Sequence, residues 1–152
     1  MDRSPLVRPV APQDLEALTD MVRQLARFHG DTPSVTPATL ARDCLGQAPW
    51  LHVLVVEEQG ALCGYAMLCP RARAQFGERA MELHHLYVHR GRRGRGLGRA
   101  LIEGAEARAR ELGASMLSLS VMAENEAAGA AYLACGFEEV TGTGARRFRR
   151  YV

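Results

Sequence analysis

The sequence predicts a single α/β domain over residues 1–152, with elements in the order β-α-α-β-β-β-α-β-α-β-β. Three observations predict this class. Residues 50–57 are nearly all apolar or β-branched, which is typical of a strand buried on both faces. Residues 79–102 pass from an apolar strand through an arginine- and glycine-rich loop directly into an amphipathic helix. The length fits one domain, and no repeat or linker divides the chain.

The first third of the chain supplies a strand and two helices. Residues 6–10 form a short strand at a sheet edge, because Pro9 has no N–H to donate to a neighbouring strand. Apolar residues then recur at helical spacing over residues 12–28. Thr36 is expected to cap a second short helix over residues 37–45, which has proline at its first position.

Strands and helices alternate over the rest of the chain. The strand at 50–57 turns through Glu58-Gln59-Gly60 into a partner strand at 61–70, and a polar loop follows around residues 73–78. The later predicted elements are a strand at 79–88, a helix at 97–112, a strand at 115–121, a helix at 123–135 and closing strands at 137–140 and 148–152.

The loop between the strand at 79–88 and the helix at 97–112 predicts an anion site. The first N–H groups of a helix have no partner within the helix, so they attract phosphate. Gly94, Gly96 and Gly98 let that backbone approach a ligand closely. Five arginines between positions 90 and 99 add positive charge. We interpret the segment as a cradle for a pyrophosphate.

Spacing excludes two other phosphate-binding patterns. A Walker A loop needs Lys followed by Ser or Thr, whereas Arg99 and Ala100 follow the last glycine here. A dinucleotide-binding loop needs a third glycine three residues after the second. The positions that this glycine would occupy are Arg99 or Leu101.

The amino-acid composition further limits the class of protein and the compartment in which we expect it. A content of 47% hydrophobic and 24% charged residues is that of an ordinary globular protein, and a net charge of +2 does not by itself favour nucleic acid. The four cysteines lack CxxC spacing, so we predict buried thiols in a reducing compartment and no metal site. No apolar run reaches the roughly 20 residues of a membrane span, and the N-terminus lacks a signal-peptide core. These observations predict a cytoplasmic protein without a membrane partner.

Two motifs carry a resemblance to a known family. Arg93-x-x-Gly96-x-Gly98, directly after Leu86-Tyr87-Val88, resembles the acetyl-CoA motif of GCN5-related N-acetyltransferases (GNAT), in which Gln or Arg, x, x, Gly, x, Gly or Ala opens the central helix. The segment from Asn125 through Tyr132 to Gly136-Phe137 resembles a second segment of the same family, which has seven residues from Asn to Tyr.

The resemblance implies a fold, a reaction and a co-substrate. It implies a mixed, mostly antiparallel sheet of six to seven strands flanked by about four helices, and direct transfer of an acetyl group from acetyl-CoA to a primary amine. Tyr132 would protonate the departing thiolate. The residues that would contact the cofactor are Leu86, Tyr87, Val88, Arg93, Gly94, Arg95, Gly96, Leu97, Gly98, Arg99, Asn125 and Tyr132.

The base that would deprotonate the amine stays open between several groups. A lysine-like amine with a pKa near 10.4 is unprotonated in only about 1 molecule in 2,500 at pH 7. Strand alternation places Glu82 and His84 on one face and His85 on the other, unless a bulge intervenes. Glu82, His84 and a solvent relay are the candidates. Ser120 stands where ribosomal-protein acetyltransferases of the family carry a base, so that mechanism does not transfer.

The sequence limits the identity of the acetyl acceptor less than it limits that of the cofactor. The first half looks like the diamine acetyltransferase branch, but His84 and His85 replace its two acidic residues, so an amino-acid-like or single-amine small molecule is favoured. A protein or peptide acceptor and a non-catalytic acetyl-CoA sensor are the alternatives. A nucleic-acid binder would use the arginine clusters, but aromatic residues are not interleaved with them. A homodimer would be in keeping with many members of the family.

Overall fold

The computed structural model describes residues 4–122, 124–140, 146 and 148–151. The chain forms two compact units, Met1–Ser120 and Val121–Val152. The α-helices and strands of the first unit are β1 (Leu6–Pro9), α1 (Leu15–Phe28), α2 (Pro37–Cys44), β2 (His52–Glu58), β3 (Ala61–Arg73), β4 (Glu78–Val88), α3 (Leu97–Glu111) and β5 (Met116–Ser118). The second unit contains α4 (Glu126–Ala134).

The sheet of the first unit is mixed and mostly antiparallel, as predicted. Its order is β1-β2-β3-β4-β5, with antiparallel pairing from β1 to β4 and parallel pairing between β4 and β5. β1 lies at the edge, where Pro9 is tolerated. Thr36 caps α2 by accepting a hydrogen bond from the Thr39 N–H at 3.2 Å, and Pro37 is the first helical residue.

Helices cover both faces of this sheet. On one face, α1 and α2 pack against inward-facing side chains of β2, β3 and β4, and this cluster includes Leu18, Met21, Val55, Tyr65 and Tyr87. On the other face lies α3, whose buried residues are Leu97, Leu101, Ile102, Ala105 and Ala109. The buried face of α3 is the one that its helical periodicity predicted.

The two closing strands predicted at 137–140 and 148–152 are wrong for their described residues, which have no strand conformation. The described chain therefore has five strands and not six to seven. A strand is stabilised by a hydrogen-bonded neighbour and by cross-strand side-chain contacts. The apolar side chains that suggested these strands are 86% exposed at Val140, 84% at Phe148 and 82% at Tyr151. The order of apolar and polar residues in these segments is compatible with a strand, but it does not provide a neighbouring strand for hydrogen bonding.

The two elements before those strands are shorter than predicted. The strand at 115–121 is reduced to Met116–Ser118, and the helix at 123–135 is observed as Glu126–Ala134. Positions 123 and 152 of the predicted elements lie outside the described residues. Within the described ranges, none of the helices combines the length and the apolar character that crossing a membrane requires.

Gly64 of β3 lies where a side chain has no room. A Cβ at this position would stand 2.4 Å from the Tyr87 carbonyl oxygen and 3.1 Å from the Val88 Cα. Because both atoms are backbone, Gly64→Ala should force β3 and β4 apart and lower the free energy of unfolding by about 1–3 kcal/mol. Urea denaturation measures this change. Gly129→Ala is the control, since its Cβ meets no atom within 4 Å, and an equal loss there would contradict the explanation.

Candidate active site

β4 changes partners along its length. Ala80, Met81 and Glu82 pair with β5, and that pairing ends at Glu82 and Ser118. β4 continues to Val88 in contact with β3 alone. Within the described residues of the first unit, residues 83–88 therefore present one strand edge that no other strand covers. An uncovered edge offers main-chain donors and acceptors to an extended ligand.

Main-chain N–H and C=O groups alternate in direction along β4, and this alternation determines which residues present them to the free edge. The His89 N–H donates to the Cys63 carbonyl at 2.8 Å, so the main chain at position 89 is turned toward β3. Main-chain groups of a strand alternate between its two sides, which turns Tyr87 toward β3 as well, and Leu86 and Val88 toward the free edge. Of the three residues expected to pair with the cofactor arm, Leu86 and Val88 therefore direct their main chain to the free edge.

A β-bulge lies in the middle of the predicted catalytic strand. Met67 pairs with His85 and the next residue of β3, Leu68, pairs with Leu83, so His84 is the extra residue. Directly paired residues share a face of a sheet. The pairing of Cys69 with Glu82 and of Met67 with His85 therefore puts Glu82 and His85 on one face, which regular alternation would have separated.

The two histidines have different environments. His84 is exposed, and its ring stacks on that of His85 with centroids 4.3 Å apart. His85 is half-buried, and its Nδ1 lies 3.0 Å from the hydroxyl of the fully buried Tyr65. Burial lowers the pKa of His85 to about 4, and the nearby His84 and His29 add to the shift. His85 is therefore neutral at pH 7.

This shift predicts a dependence of stability on pH. In the unfolded chain His85 takes up a proton near pH 6.5, whereas the folded protein resists protonation of this residue down to about pH 4. Between these values the unfolded state binds more protons, so the free energy of unfolding should fall as the pH falls, by up to about 1.4 kcal/mol per pH unit from this residue. His85→Gln should flatten the slope in urea titrations from pH 7 to 4, and His84→Gln, which leaves the burial of His85 in place, should flatten it much less. An unchanged slope in His85→Gln would remove this explanation.

The loop after β4 has the backbone geometry of an anion cradle. Gly94 and Gly96 adopt left-handed conformations with φ of 77° and 82°, which glycine tolerates without strain. The first hydrogen bond of α3 runs from the Ala100 N–H to the Gly96 carbonyl at 3.0 Å. The N–H groups of Leu97 and Gly98 precede that bond and have no acceptor within the helix. Among the described residues, a Cβ at Gly98 would meet no atom outside its own helical turn within 4 Å, which leaves space beside this turn.

Three arginine side chains of the loop contact residues of the neighbouring strands. Arg92 donates to the Oε1 atom of Glu58, and Arg95 Nη1 lies 3.1 Å from the same oxygen. Arg93 Nε donates to the Val88 carbonyl at 2.9 Å. The guanidinium carbon of Arg93 also lies 6.0 Å from the centre of the Tyr87 ring. These side chains bind the loop to β2 and β4.

The second unit carries the other two residues expected at the site. Asn125 caps α4 by accepting a hydrogen bond from the Ala128 N–H at 3.2 Å. Tyr132 lies in the last turn of α4, and its ring packs edge-on against Phe137 with centroids 5.8 Å apart. Burial raises the pKa of Tyr132, with a smaller contribution from Cys135, so the hydroxyl keeps its proton at neutral pH. Tyr132 is therefore a hydrogen-bond donor in its ordinary state.

Sequence reasoning missed several polar residues behind the strand. Tyr65 supports His85, and the Tyr87 hydroxyl donates to Gln24 Oε1 of α1 and lies 3.2 Å from His89 Nδ1. Tyr65 and Tyr87 are directly paired across β3 and β4, a register that no local signal in the sequence fixes. Glu58 was placed in a turn, whereas it ends β2 and is 8% exposed. No local signal in the sequence indicated this burial, because the arginines that Glu58 contacts lie at least 34 positions further along the chain.

Comparison with known proteins identifies the family. The chain belongs to the acetyltransferase (GNAT) family, whose sequence pattern matches residues 18–137. It is 31% identical over 144 residues to aminoglycoside N(6')-acetyltransferase type 1 of Klebsiella aerogenes, covering 92% of this chain and 93% of that protein. The protein is thus an acetyl-CoA-dependent N-acetyltransferase, and the predicted family and co-substrate are confirmed.

Solved structures support the fold. Aminoglycoside N-acetyltransferase AAC(6')-Iy in complex with CoA matches with a TM-score of 0.83 and 20% identity, over 99% of this chain and 98% of that one. The ribosomal-protein-alanine N-acetyltransferase of Brucella melitensis biovar Abortus 2308 matches with a TM-score of 0.73 and 21% identity, over 95% and 100%. At such identities the likeness shows the fold alone.

Proposed function

We propose that the chain transfers the acetyl group of acetyl-CoA directly to a primary amine of a small molecule, with the cofactor lying along the free edge of β4. The observation that carries this proposal is the continuity of that edge with the open start of α3. An extended arm can hydrogen-bond to the main chain of Leu86 and to the Val88 N–H as an added strand would, while the Val88 carbonyl accepts from Arg93. The same arm then leads to the N–H groups of Leu97 and Gly98.

The diphosphate is held chiefly by main-chain groups in this proposal. A helix start combines unpaired N–H donors with the positive end of the helix dipole, which suits a charged phosphate. The side chains of Arg92 and Arg95 are already paired with Glu58, and that of Arg93 with the Val88 carbonyl. The backbone from Gly94 to Arg99 remains the main source of specific donors, and the arginines supply a favourable field.

In this proposal the groups that deprotonate the amine are side chains of β4 beside the bulge. His84 is exposed there, and Glu82 occupies the last position at which β4 and β5 pair. Either group, alone or through water, can accept a proton from an ammonium, and a positioned base contributes roughly 10²–10⁴ to the rate. The free amine attacks the thioester carbonyl, and Tyr132 donates its proton to the sulfur as the C–S bond breaks. The new amide nitrogen then releases its extra proton through water, which restores the proton of Tyr132.

Paired substitutions separate the two candidate bases. We expect that replacing the true base by Gln lowers kcat at least about tenfold and changes the KM for acetyl-CoA little. His84→Gln and Glu82→Gln are compared in steady-state assays from pH 6 to 10. Recovery of kcat at high pH, where more amine is already free, is expected only for the base variant. Wild-type kcat in both variants would favour a solvent relay and contradict a side-chain base.

The acceptor class follows from charge. A compound with several ammonium groups is best held by several carboxylates, and β4 offers Glu82 but then the exposed His84 and the half-buried His85. A single-amine or amino-acid-like acceptor is therefore our first candidate. The identity to an aminoglycoside N(6')-acetyltransferase makes an amino sugar the second candidate. Both present a primary amine on a small, polar molecule.

A panel of acceptors tests this function. Thiol release from acetyl-CoA is followed with single amines, amino acids, amino sugars, diamines and peptides, and the acetylated product is identified by mass spectrometry. We expect the highest kcat/KM among the small single-amine compounds or the amino sugars. Preference for peptides would replace the proposal with protein acetylation. Tight acetyl-CoA binding without thiol release by any amine would indicate a sensor.

The two compact units belong to one acetyltransferase domain in this proposal. The family match over residues 18–137 runs across the division at Ser120. Asn125 and Tyr132, which the proposal assigns to the cofactor and the leaving thiolate, lie in the second unit. Thiol-release activity should therefore be lost from a fragment ending at Ser120 and be present in the full chain. An active fragment would assign catalysis to the first unit alone.

A further inference from the structure

One buried carboxylate of the first unit has no role in the reaction proposed above. Glu58, the last residue of β2, is 8% exposed and holds two side chains of the loop between β4 and α3. Its Oε1 atom accepts a hydrogen bond from Arg92 and lies 3.1 Å from Nη1 of Arg95. The side chains of Arg92 and Arg95 are 32% and 52% exposed, so this contact is partly screened from water.

We infer that Glu58 is a positioning residue for acetyl-CoA, because it fixes the loop in the shape in which its main-chain N–H groups can receive a diphosphate. This inference rests on the proposed position of the diphosphate at the start of α3. Glu58 does not itself contact the cofactor in this account. Its effect passes through Arg92 and Arg95 to the backbone between them.

The loop needs such an anchor because of its composition. Gly91, Gly94 and Gly96 are interspersed among its arginines, and glycine loses more backbone freedom on ordering than other residues. The ends of the loop are fixed by the hydrogen bond from His89 to Cys63 and by the buried side chain of Leu97. Between these ends, Arg92 and Arg95 tie the loop to β2. A pre-ordered loop spares the cofactor the cost of ordering it on binding.

Removal of the Glu58 charge has two opposing consequences. It leaves two guanidinium groups unneutralised near the proposed phosphate position, which favours an anion. It also frees the middle of the loop, which disfavours binding. Salt screens partly exposed arginines, whereas the entropy of ordering a backbone is not screened. We therefore expect the loss of order to dominate at physiological ionic strength.

The test compares Glu58→Gln with Glu57→Gln in the full-length chain. We expect Glu58→Gln to raise the KM for acetyl-CoA about tenfold, equivalent to about 1.4 kcal/mol, with kcat at saturating acetyl-CoA and the KM for the amine unchanged. Glu57 is adjacent and pairs instead with Arg8 at 3.0 Å, so its variant should keep the wild-type KM values. An unchanged KM for acetyl-CoA in Glu58→Gln, or equal changes in both KM values, would overturn the inference.

A double-mutant cycle distinguishes positioning from direct contact. Arg95→Ala removes the more exposed member of the pair and should raise the KM for acetyl-CoA in the wild-type background but add little in the Glu58→Gln background. An undiminished effect of Arg95→Ala in both backgrounds would mean that the arginine binds the cofactor directly, which overturns the positioning role. If Glu58→Gln fails to fold, an unchanged KM for acetyl-CoA in Arg95→Ala would overturn the inference.

A separate variant tests the position of the diphosphate on which the inference depends. If Gly98→Leu blocks CoA binding while Glu58→Gln leaves the KM for acetyl-CoA unchanged, the diphosphate position stands and the role of Glu58 is wrong. If Gly98→Leu has no effect on CoA binding, the diphosphate lies elsewhere and the inference about Glu58 loses its premise.

Discussion

Tyr132→Phe is expected to lower kcat roughly a hundredfold while leaving the affinity for CoA nearly unchanged. The substitution removes one hydroxyl and keeps the ring, which packs against Phe137. Burial raises the pKa of Tyr132, so its hydroxyl is protonated at neutral pH and can donate as the C–S bond breaks. The interaction gains strength only as negative charge develops on sulfur, and such a loss appears in kcat and not in ground-state binding.

Steady-state assays give kcat for this variant, and isothermal titration calorimetry gives the Kd for CoA. Tyr151→Phe is the matched control, because Tyr151 is 82% exposed and has no proposed role in the reaction. The acid role of Tyr132 is wrong if kcat stays at the wild-type value. A large loss of CoA affinity with unchanged kcat would instead make Tyr132 a binding residue.

Gly98→Leu is expected to weaken CoA binding by at least a factor of about 100 without unfolding the protein. The fold should tolerate the side chain, since a Cβ at Gly98 meets none of the described parts of the chain outside its own helical turn within 4 Å, and leucine is a good helix former. The same side chain would occupy the space next to the first N–H groups of α3. Losing two hydrogen bonds to a charged phosphate costs about 3–6 kcal/mol, which sets the size of the effect.

Gly98→Ala is the control for this substitution. The acetyl-CoA motif that the sequence resembles admits glycine or alanine here, so we expect alanine to keep CoA binding. Alanine should also stabilise the helix by about 0.5–1 kcal/mol relative to glycine. Gly98 is a sharper probe than Gly96, whose φ of 82° would add backbone strain to any substitution. Wild-type affinity in Gly98→Leu, with an unchanged melting temperature, would contradict the proposed cradle.

Features that depend on neighbouring residues in sequence were predictable. Thr36 and Pro37 specify the start of α2 by capping and by a preset φ, and the periodicity of Leu97, Leu101 and Ala105 specifies the buried face of α3. The glycine turn before α3 was recognisable for the same reason. Each of these signals acts within about one or two helical turns, so a single sequence contains it in full.

Features that depend on distant partners were not predictable. The bulge at His84 exists because of the register between β3 and β4, and it moves His85 to the face that Glu82 occupies. The contact of Glu58 with Arg92 joins residues 34 positions apart. The failure of the strand at 137–140 has the same origin, because alternation in a sequence does not say whether a neighbouring strand is present. The sequence therefore predicted the glycine turn and the start of α3 better than the conformation of β4.

Residue-resolved hydrogen exchange with and without CoA tests the central claim most directly. We expect CoA to slow hydrogen exchange at four amides. The N–H groups of Leu86 and Val88 face the free edge of β4, and those of Leu97 and Gly98 lie at the start of α3. The Tyr87 amide faces β3 and should change little, which provides an internal control. Protection confined to other segments, or unchanged exchange at all four amides under saturating CoA, would contradict the account.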